Sequence, residues 1–243
     1  MCQVNKICCS CSQDVLYRDI YVEDPRVQQT LSQSTHLARR VRSFDSSFNG
    51  ADMDMAMALR NMTSLRILKL RARFHMDIFD NCTFKLDSFN CARFAGHDDS
   101  IKKFLNSQPS LKTLTLHYAH TVSSPLEATC LPNLTRIHAS FHWLPYLIPG
   151  RPLNEVIAIQ PKVTSNGHSI DLSFFALSAT PIQKLTIDYY YLHPTPTHLL
   201  ASFLPSLTHF TLTILSRYTV LKDEGVCGLF PYILIIGYLS NMA

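Results

Sequence analysis

One phrase recurs along this chain at a nearly constant interval, and the recurrence limits what the chain can fold into more than any other feature. The segments "MTSLRILKL" (62–70), "QPSLKTLTL" (108–116), "LPNLTRIHA" (131–139) and "LPSLTHFTL" (204–212) each place apolar residues in the order L-x-x-L-x-L. With 47% of residues apolar, three such positions coincide by chance in roughly a tenth of windows, so the pattern alone decides little. Phase decides more. The second apolar position of each candidate is Phe44, Leu68, Phe89, Leu114, Ile137, Val156, Leu185 and Phe210, at intervals of 24, 21, 25, 23, 19, 29 and 25 residues. The mean is about 24, inside the ~20–29 residues of a repeat that pairs one strand with a short return.

Proline keeps the same phase. Pro109, Pro132, Pro152, Pro181 and Pro205 each stand one or two residues before the first apolar position of a repeat. Lacking an amide and forcing its predecessor toward extended geometry, proline stops a helix just before a strand begins. The stretches between look helical in several places. "ADMDMAMALRNM" (51–62) is rich in helix formers, and "GHDDSIKKFLNS" (96–107) sets Asp98 and Asp99 at a helix start with Ile101, Phe104 and Leu105 on one face. "TPTHLLASFL" (195–204) offers Thr197 as a cap before Leu199, Leu200, Phe203 and Leu204.

A unit of strand, turn and short helix cannot bury its apolar side alone, whereas stacked units share one core. The expected fold is therefore α/β: an irregular leucine-rich-repeat-like solenoid of about eight units, with a parallel concave sheet and short convex helices. In "SLRILKL", Leu65, Leu68 and Leu70 then point inward while Ile67, Lys69 and Arg71 are displayed. The residues three beyond Leu70, Leu116, Ala139 and Ile187 are Arg73, Ala119, His142 and Tyr190 rather than a ladder of asparagines, so irregular turns are expected. A generic α/β domain with accidental phasing is the competing expectation.

The stretch "VLYRDIYVEDPRVQQTLSQSTHLARRVRSF" (15–44) resembles the segment that follows the F-box in a large basidiomycete family of F-box/leucine-rich-repeat proteins. The parts that carry the resemblance are Leu16-Tyr17-Arg18, then Asp24 as helix cap with Pro25 in the first turn, then His36 through Phe44 as the opening of the first repeat. Beyond residue 44 the resemblance is one of repeat cadence, through about residue 215. It implies a protein-interaction module, the substrate-recognition half of a ubiquitin-ligase receptor. Its partner would be a protein substrate of unknown identity, and a cullin–RING adaptor only if an F-box lies upstream of Leu16. The expected organisation is a post-F-box linker strand and helix (1–40), the solenoid (41–216) and a divergent apolar tail (217–243). With fifteen residues before Leu16 and no further repeat after Tyr218, a truncated or non-functional structural fragment is one alternative. A tail-anchored binding protein is the other.

Composition narrows the function classes. Only 16% of residues are charged, against disorder, and a net charge of +4 with basic residues scattered outside "ARRVR" and "RILKLRAR" disfavours nucleic acid. Eight cysteines without a secretory leader, three of them crowded at Cys8, Cys9 and Cys11, suit a reducing compartment, so a cytoplasmic or nuclear location is expected. Cys82, Cys91 and Cys130 fall among apolar positions, where a thiol packs as a small hydrophobe. The three glycosylation-type triplets at Asn61, Asn81 and Asn133 then carry no meaning. "GVCGLFPYILIIGYLSNMA" (225–243) is interrupted by Pro231 and its apolar core falls short of the ~20 residues of a spanning helix, so a membrane role is disfavoured.

No nucleophile elbow, phosphate loop or HExxH occurs, and seven glycines leave little room for phosphate-cradling loops, so no enzyme and no cofactor are expected. Cys8-x-x-Cys11 lacks a second pair for zinc, and the His117–His120 side chains, spaced by three on a strand-to-loop path, need not converge on a metal, so no metal is expected. "HPTPTH" (193–198) reads as a turn and cap, and the tyrosines of "DYYYLH" (188–193) as cover for an edge or as an interface anchor. The binding candidates lie on the displayed strand face: Lys69, Arg71, Thr115, His117, Arg136, His138, Lys184, Asp188 and His209. Within it Lys69, Arg71, Arg136 and His138 are expected to form a mildly basic patch for an acidic peptide, set against an ordinary solvated sheet face.

Overall fold

Alternating apolar residues at a 24-residue beat give each strand one greasy side, and parallel stacking is the arrangement that hides all those sides together. The computed structural model describes residues 6–48, 52–95, 98–117, 126–127, 129–159, 171–188 and 201–213. Its strands are β1 (Asp19–Val22), β2 (Ser43–Ser46), β3 (Ile67–His75), β4 (Ser88–Ala95), β5 (Thr113–Leu116), β6 (Arg136–Ser140), β7 (Glu155–Ile159), β8 (Lys184–Asp188) and β9 (His209–Thr213). They form one open nine-stranded sheet in the order β1 to β9, every neighbour parallel. The chain is thus α/β with a solenoid-like succession of strands. The eight phase residues from Phe44 to Phe210 are consecutive Cα partners across the sheet, and Ile20 of β1, within the 1–40 segment, extends the row by one.

Backbone bonding at the strand starts explains the register. The Arg18 carbonyl accepts the amides of both Arg42 and Ser43, and the carbonyls of Arg42, Arg66, Asp87, Lys112, Thr135, Asn154 and Gln183 each accept the matching pair one strand later, at 2.8–3.2 Å. Side chains add rungs between neighbouring turns. Asn61 Nδ2 donates to the carbonyls of Leu31 and Ser32, Asn133 Nδ2 to Pro109, Thr135 Oγ1 to Lys112 and Thr208 Oγ1 to Gln183. Buried Gln108 accepts from the Leu86 amide at 2.9 Å and donates to the Phe84 carbonyl at 3.4 Å. Together these rungs connect the turns from different positions.

The chain enters through α1 (Lys6–Leu16), and the other side of the sheet is backed by α2 (Pro25–Gln33), α3 (Thr35–Ala38), α4 (Asp52–Asn61), α5 (Asp98–Asn106), α6 (Leu144–Leu147) and 3-10 turns at Met76–Phe79, Phe141–Trp143 and Ser173–Leu177. Asp24 caps α2, accepting from the Arg26 amide at 2.9 Å, with Pro25 in the first turn. Ile101, Phe104 and Leu105 of α5 are buried as their spacing implies. Phe104 stacks on Phe79 at 4.1 Å between ring centroids and meets Phe89 edge-on at 5.0 Å. One continuous apolar cluster runs from Val22 to Leu204, and each fully buried large side chain in it contributes about 1.5–3 kcal/mol.

Leu65, Leu68 and Leu70 point into this core, while Ile67 and Lys69 are half-exposed and Arg71 exposed. The irregularity expected at Arg73 takes the form of a bulge: the β3–β4 register shifts between Leu70 and Arg73, with one extra residue in β3. Of the helix expected over 195–204, residues 201–204 fall among the described residues and 201–203 are helical, while Thr197, Leu199 and Leu200 lie outside them. Ala119, His120, the tyrosines of 189–191, the 193–198 turn and the stretch 225–243 also lie outside. Among the described residues no helix is long and apolar enough to cross a membrane.

Candidate functional site

Because side chains alternate, the face turned away from the core is made of aligned rows. The row nearest the strand starts reads Ser43, Ile67, Ser88, Thr113, Arg136, Glu155, Lys184, His209, and the next reads Asp45, Lys69, Asn90, Thr115, His138, Ile157, Thr186, Thr211. Arg71 and His117 follow two residues beyond Lys69 and Thr115. Asp188 ends β8 in register with Thr213, and Lys184 pairs in register with Glu155 and His209. The sheet therefore places all nine sequence-derived candidates on strands or at their ends. It does not gather them at one point.

Three of the cations on this face are compensated locally. Arg71 grips Asp45 with two bonds, Nε to Oδ1 at 2.9 Å and Nη2 to Oδ2 at 2.7 Å, and Lys69 Nζ stands 4.0 Å from the same carboxylate. The Arg71 guanidinium also lies over the Tyr21 ring, 5.7 Å from its centroid. Tyr21 was not among the candidates, because "RDIYV" lacks the recurring phrase; the spacing of Ile20 to Phe44 was the available signal. Arg136 pairs with Glu155 at 3.5 Å. Lys69 and Arg71 on β3 are separated from Arg136 and His138 on β6 by two intervening strands, roughly 14 Å at normal strand spacing. The four residues expected to make a basic patch are thus two compensated groups.

Between those groups the face is neutral. Thr115 is buried, and the His117 and His138 rings meet edge-on with centroids 4.9 Å apart. Burial, with His117 as a second influence, holds the His138 pKa down to about 4, and burial lowers that of His117. Both imidazoles are therefore uncharged at neutral pH. Half-exposed Ile157 and Thr186 continue the strip. Such a surface offers short polar donors and acceptors with an apolar centre, suited to contact with another polypeptide.

Cys91 and Cys82 have pKa values pushed up to about 12 by burial, and burial raises that of Cys130, so these thiols stay protonated and weakly nucleophilic. Cys11 is an exposed free thiol, and the side chains of Cys8 and Cys9 lie outside the described residues. Among the described residues no three His, Cys, Asp or Glu side chains come together as a metal would need. No family model matches the sequence, and no curated protein matches it.

Proposed function

We propose that this chain is a non-catalytic protein-interaction module whose open sheet face holds a protein partner. The observation that carries this reading is the unbroken face of nine in-register parallel strands, neutral along its middle and charge-compensated at its flanks. A face that pairs Lys69, Arg71 and Arg136 with carboxylates exerts little pull on a phosphate backbone, and its Thr, His and Ile strip suits polypeptide contact. The near-constant repeat interval supports a leucine-rich-repeat-like identity for the units. With the resemblance over 15–44, the chain would be the substrate-recognition half of an F-box ubiquitin-ligase receptor, with a cullin–RING adaptor as partner only if an F-box lies upstream of Leu16.

The test uses tagged full chain recovered from its source cells with quantitative mass spectrometry of what accompanies it. Ile157→Arg and Thr186→Arg should deplete the bound partner about tenfold or more, the loss expected when a charge enters the middle of an interface. Gln29→Arg and Gln33→Arg, on exposed positions of α2 behind the sheet, should leave it in place. A partner retained equally by both pairs of variants, or no partner at all, refutes the assignment.

A further inference from the structure

Away from the open face, at the starts of β2, β3 and β4, three cations stand side by side. Arg42 immediately precedes β2, Arg66 immediately precedes β3, and Lys85 lies three residues before β4. With the hydroxyl-bearing Thr63, Ser64 and Thr83 they line a cleft of about 330 Å³, near the lower end of the volumes that hold small ligands. Buried Leu65 also lines it.

The backbone fixes these side chains in a row. The Arg42 carbonyl takes the amides of Arg66 and Ile67, and the Arg66 carbonyl takes those of Asp87 and Ser88, so the first two cations are one strand spacing apart. Arg66 Nη1 reaches the Lys85 carbonyl at 3.4 Å, and Lys85 Nζ donates to the Ser107 carbonyl at 2.7 Å. Each of those contacts uses one donor of a group that has several.

This cluster sets three cations side by side around one cleft without counter-charge. Arg18, Arg40, Lys69, Arg71, Lys103, Lys112 and Arg136 all have a carboxylate within 4.0 Å. Among the described residues none stands that close to Arg42, Arg66 or Lys85. The row is also short. Arg18 with its own Asp19 lies on one side, and Asp87 paired with Lys112 on the other. Three cations on adjacent strands span roughly 10 Å, enough for one compact dianion and too little for a run of backbone phosphates. Guanidinium forks and hydroxyl donors match the tetrahedral oxygens of a phosphate.

We infer that this cleft binds a single phosphomonoester dianion, with Arg42 and Arg66 as its principal donors, Lys85 as a further cation and Thr63, Ser64 and Thr83 completing the oxygen shell. The site is independent of the open-face function, so either can fail while the other stands.

Calorimetric titration of the full chain tests it with three probes: a short glycine–alanine peptide bearing one phosphoserine, the same peptide unphosphorylated, and inorganic phosphate. At least one phosphate-bearing probe should bind, with the unphosphorylated peptide about tenfold weaker or more, and the Arg42→Gln/Arg66→Gln variant should lose about tenfold or more of that affinity. Lys112→Gln, outside the cleft, should change it less than about twofold. All substituted side chains are exposed, and matching denaturation midpoints establish that the variants are folded. Tighter binding of the phosphopeptide than of inorganic phosphate assigns the group to a protein partner, and equal binding assigns it to a free phosphate compound. No binding of either phosphate form, or binding that survives Arg42→Gln/Arg66→Gln, overturns the inference.

Discussion

The first four intervals of the sheet and the last four are built on the same strand register but backed in different ways. Behind β1 to β5 lie α2, α4 and α5, each nine or ten residues long. Behind β6 to β8 the described backing is the four-residue α6 and short 3-10 turns. The first region is held by apolar helix faces and the aromatic cluster of Phe79, Phe89 and Phe104. The second adds a buried cation to its own aromatic cluster of Phe141, Phe174 and Phe175. Arg151 is fully buried, and its guanidinium donates to the carbonyls of Cys130, Tyr146, Pro149 and Glu127 at 2.9–3.2 Å. It gathers the end of α6 and the turn before β6 into one unit. Burial pulls its pKa below the usual guanidinium value, yet a guanidinium so far above neutrality keeps its charge. A constant strand register can therefore rest on very different supports.

The strongest way to break this comparison is to remove the second support. Arg151→Met keeps bulk but leaves four carbonyls without their donor, and should cost about 3–5 kcal/mol of unfolding free energy. Gln108→Ala, which strips one buried polar link from the first region, should cost about 1–3 kcal/mol. Urea denaturation of both variants makes the measurement, and equal losses would mean that the two regions are supported alike.

A smaller effect sharpens the electrostatic side of the contrast. The His138 pKa of about 4 lies below the ordinary histidine value of 6.5. Between those values an unfolded chain binds a proton that the folded chain refuses. The histidine contribution is thus complete above pH 6.5 and is lost progressively as the pH falls toward 4. Urea midpoints measured across that window should fall in the parent chain and fall less in His138→Thr, whose side chain matches Thr115 and Thr186 on either side of the strip. Parallel curves for the two chains would remove the histidine pair as the cause.

The smallest effect concerns only the helix-backed region. Asp24→Ala removes the cap on α2 and should cost about 1 kcal/mol, read as a shift in urea midpoint. Should the loss instead approach that of Arg151→Met, α2 would be a keystone rather than one of several helices sharing the load.

Much of the sheet was legible in the sequence because each inward position has to meet its neighbour. A missed beat in the row from Phe44 to Phe210 would put a side chain on the wrong face. The α4 and α5 segments were legible for the related reason that helix formers and apolar spacing coincide there. The open face was legible only as a list of residues. Asp45, Lys69 and Arg71 could all be placed on it, but their ion pairs depend on a diagonal reach between strands that no spacing rule supplies. Arg151 was not legible at all. In "PGRPL" an arginine reads as a turn residue, and its burial follows from carbonyls that converge from positions 127 to 149. The second region also buries Ser140 Oγ and Trp143 Nε1 without hydrogen-bond partners among the described residues, a load that composition does not reveal.

The doubled amide bonds at the strand starts reach further than this one molecule. Each strand start is bonded to its immediate predecessor through the same two donors and one acceptor at all eight junctions. Excising the stretch from one such carbonyl to the next, or copying it, would bring together ends that already match in geometry. Genes encoding chains of this kind can therefore lengthen or shorten by whole modules through unequal recombination, and the number of copies becomes a trait that selection can tune without redesigning the scaffold.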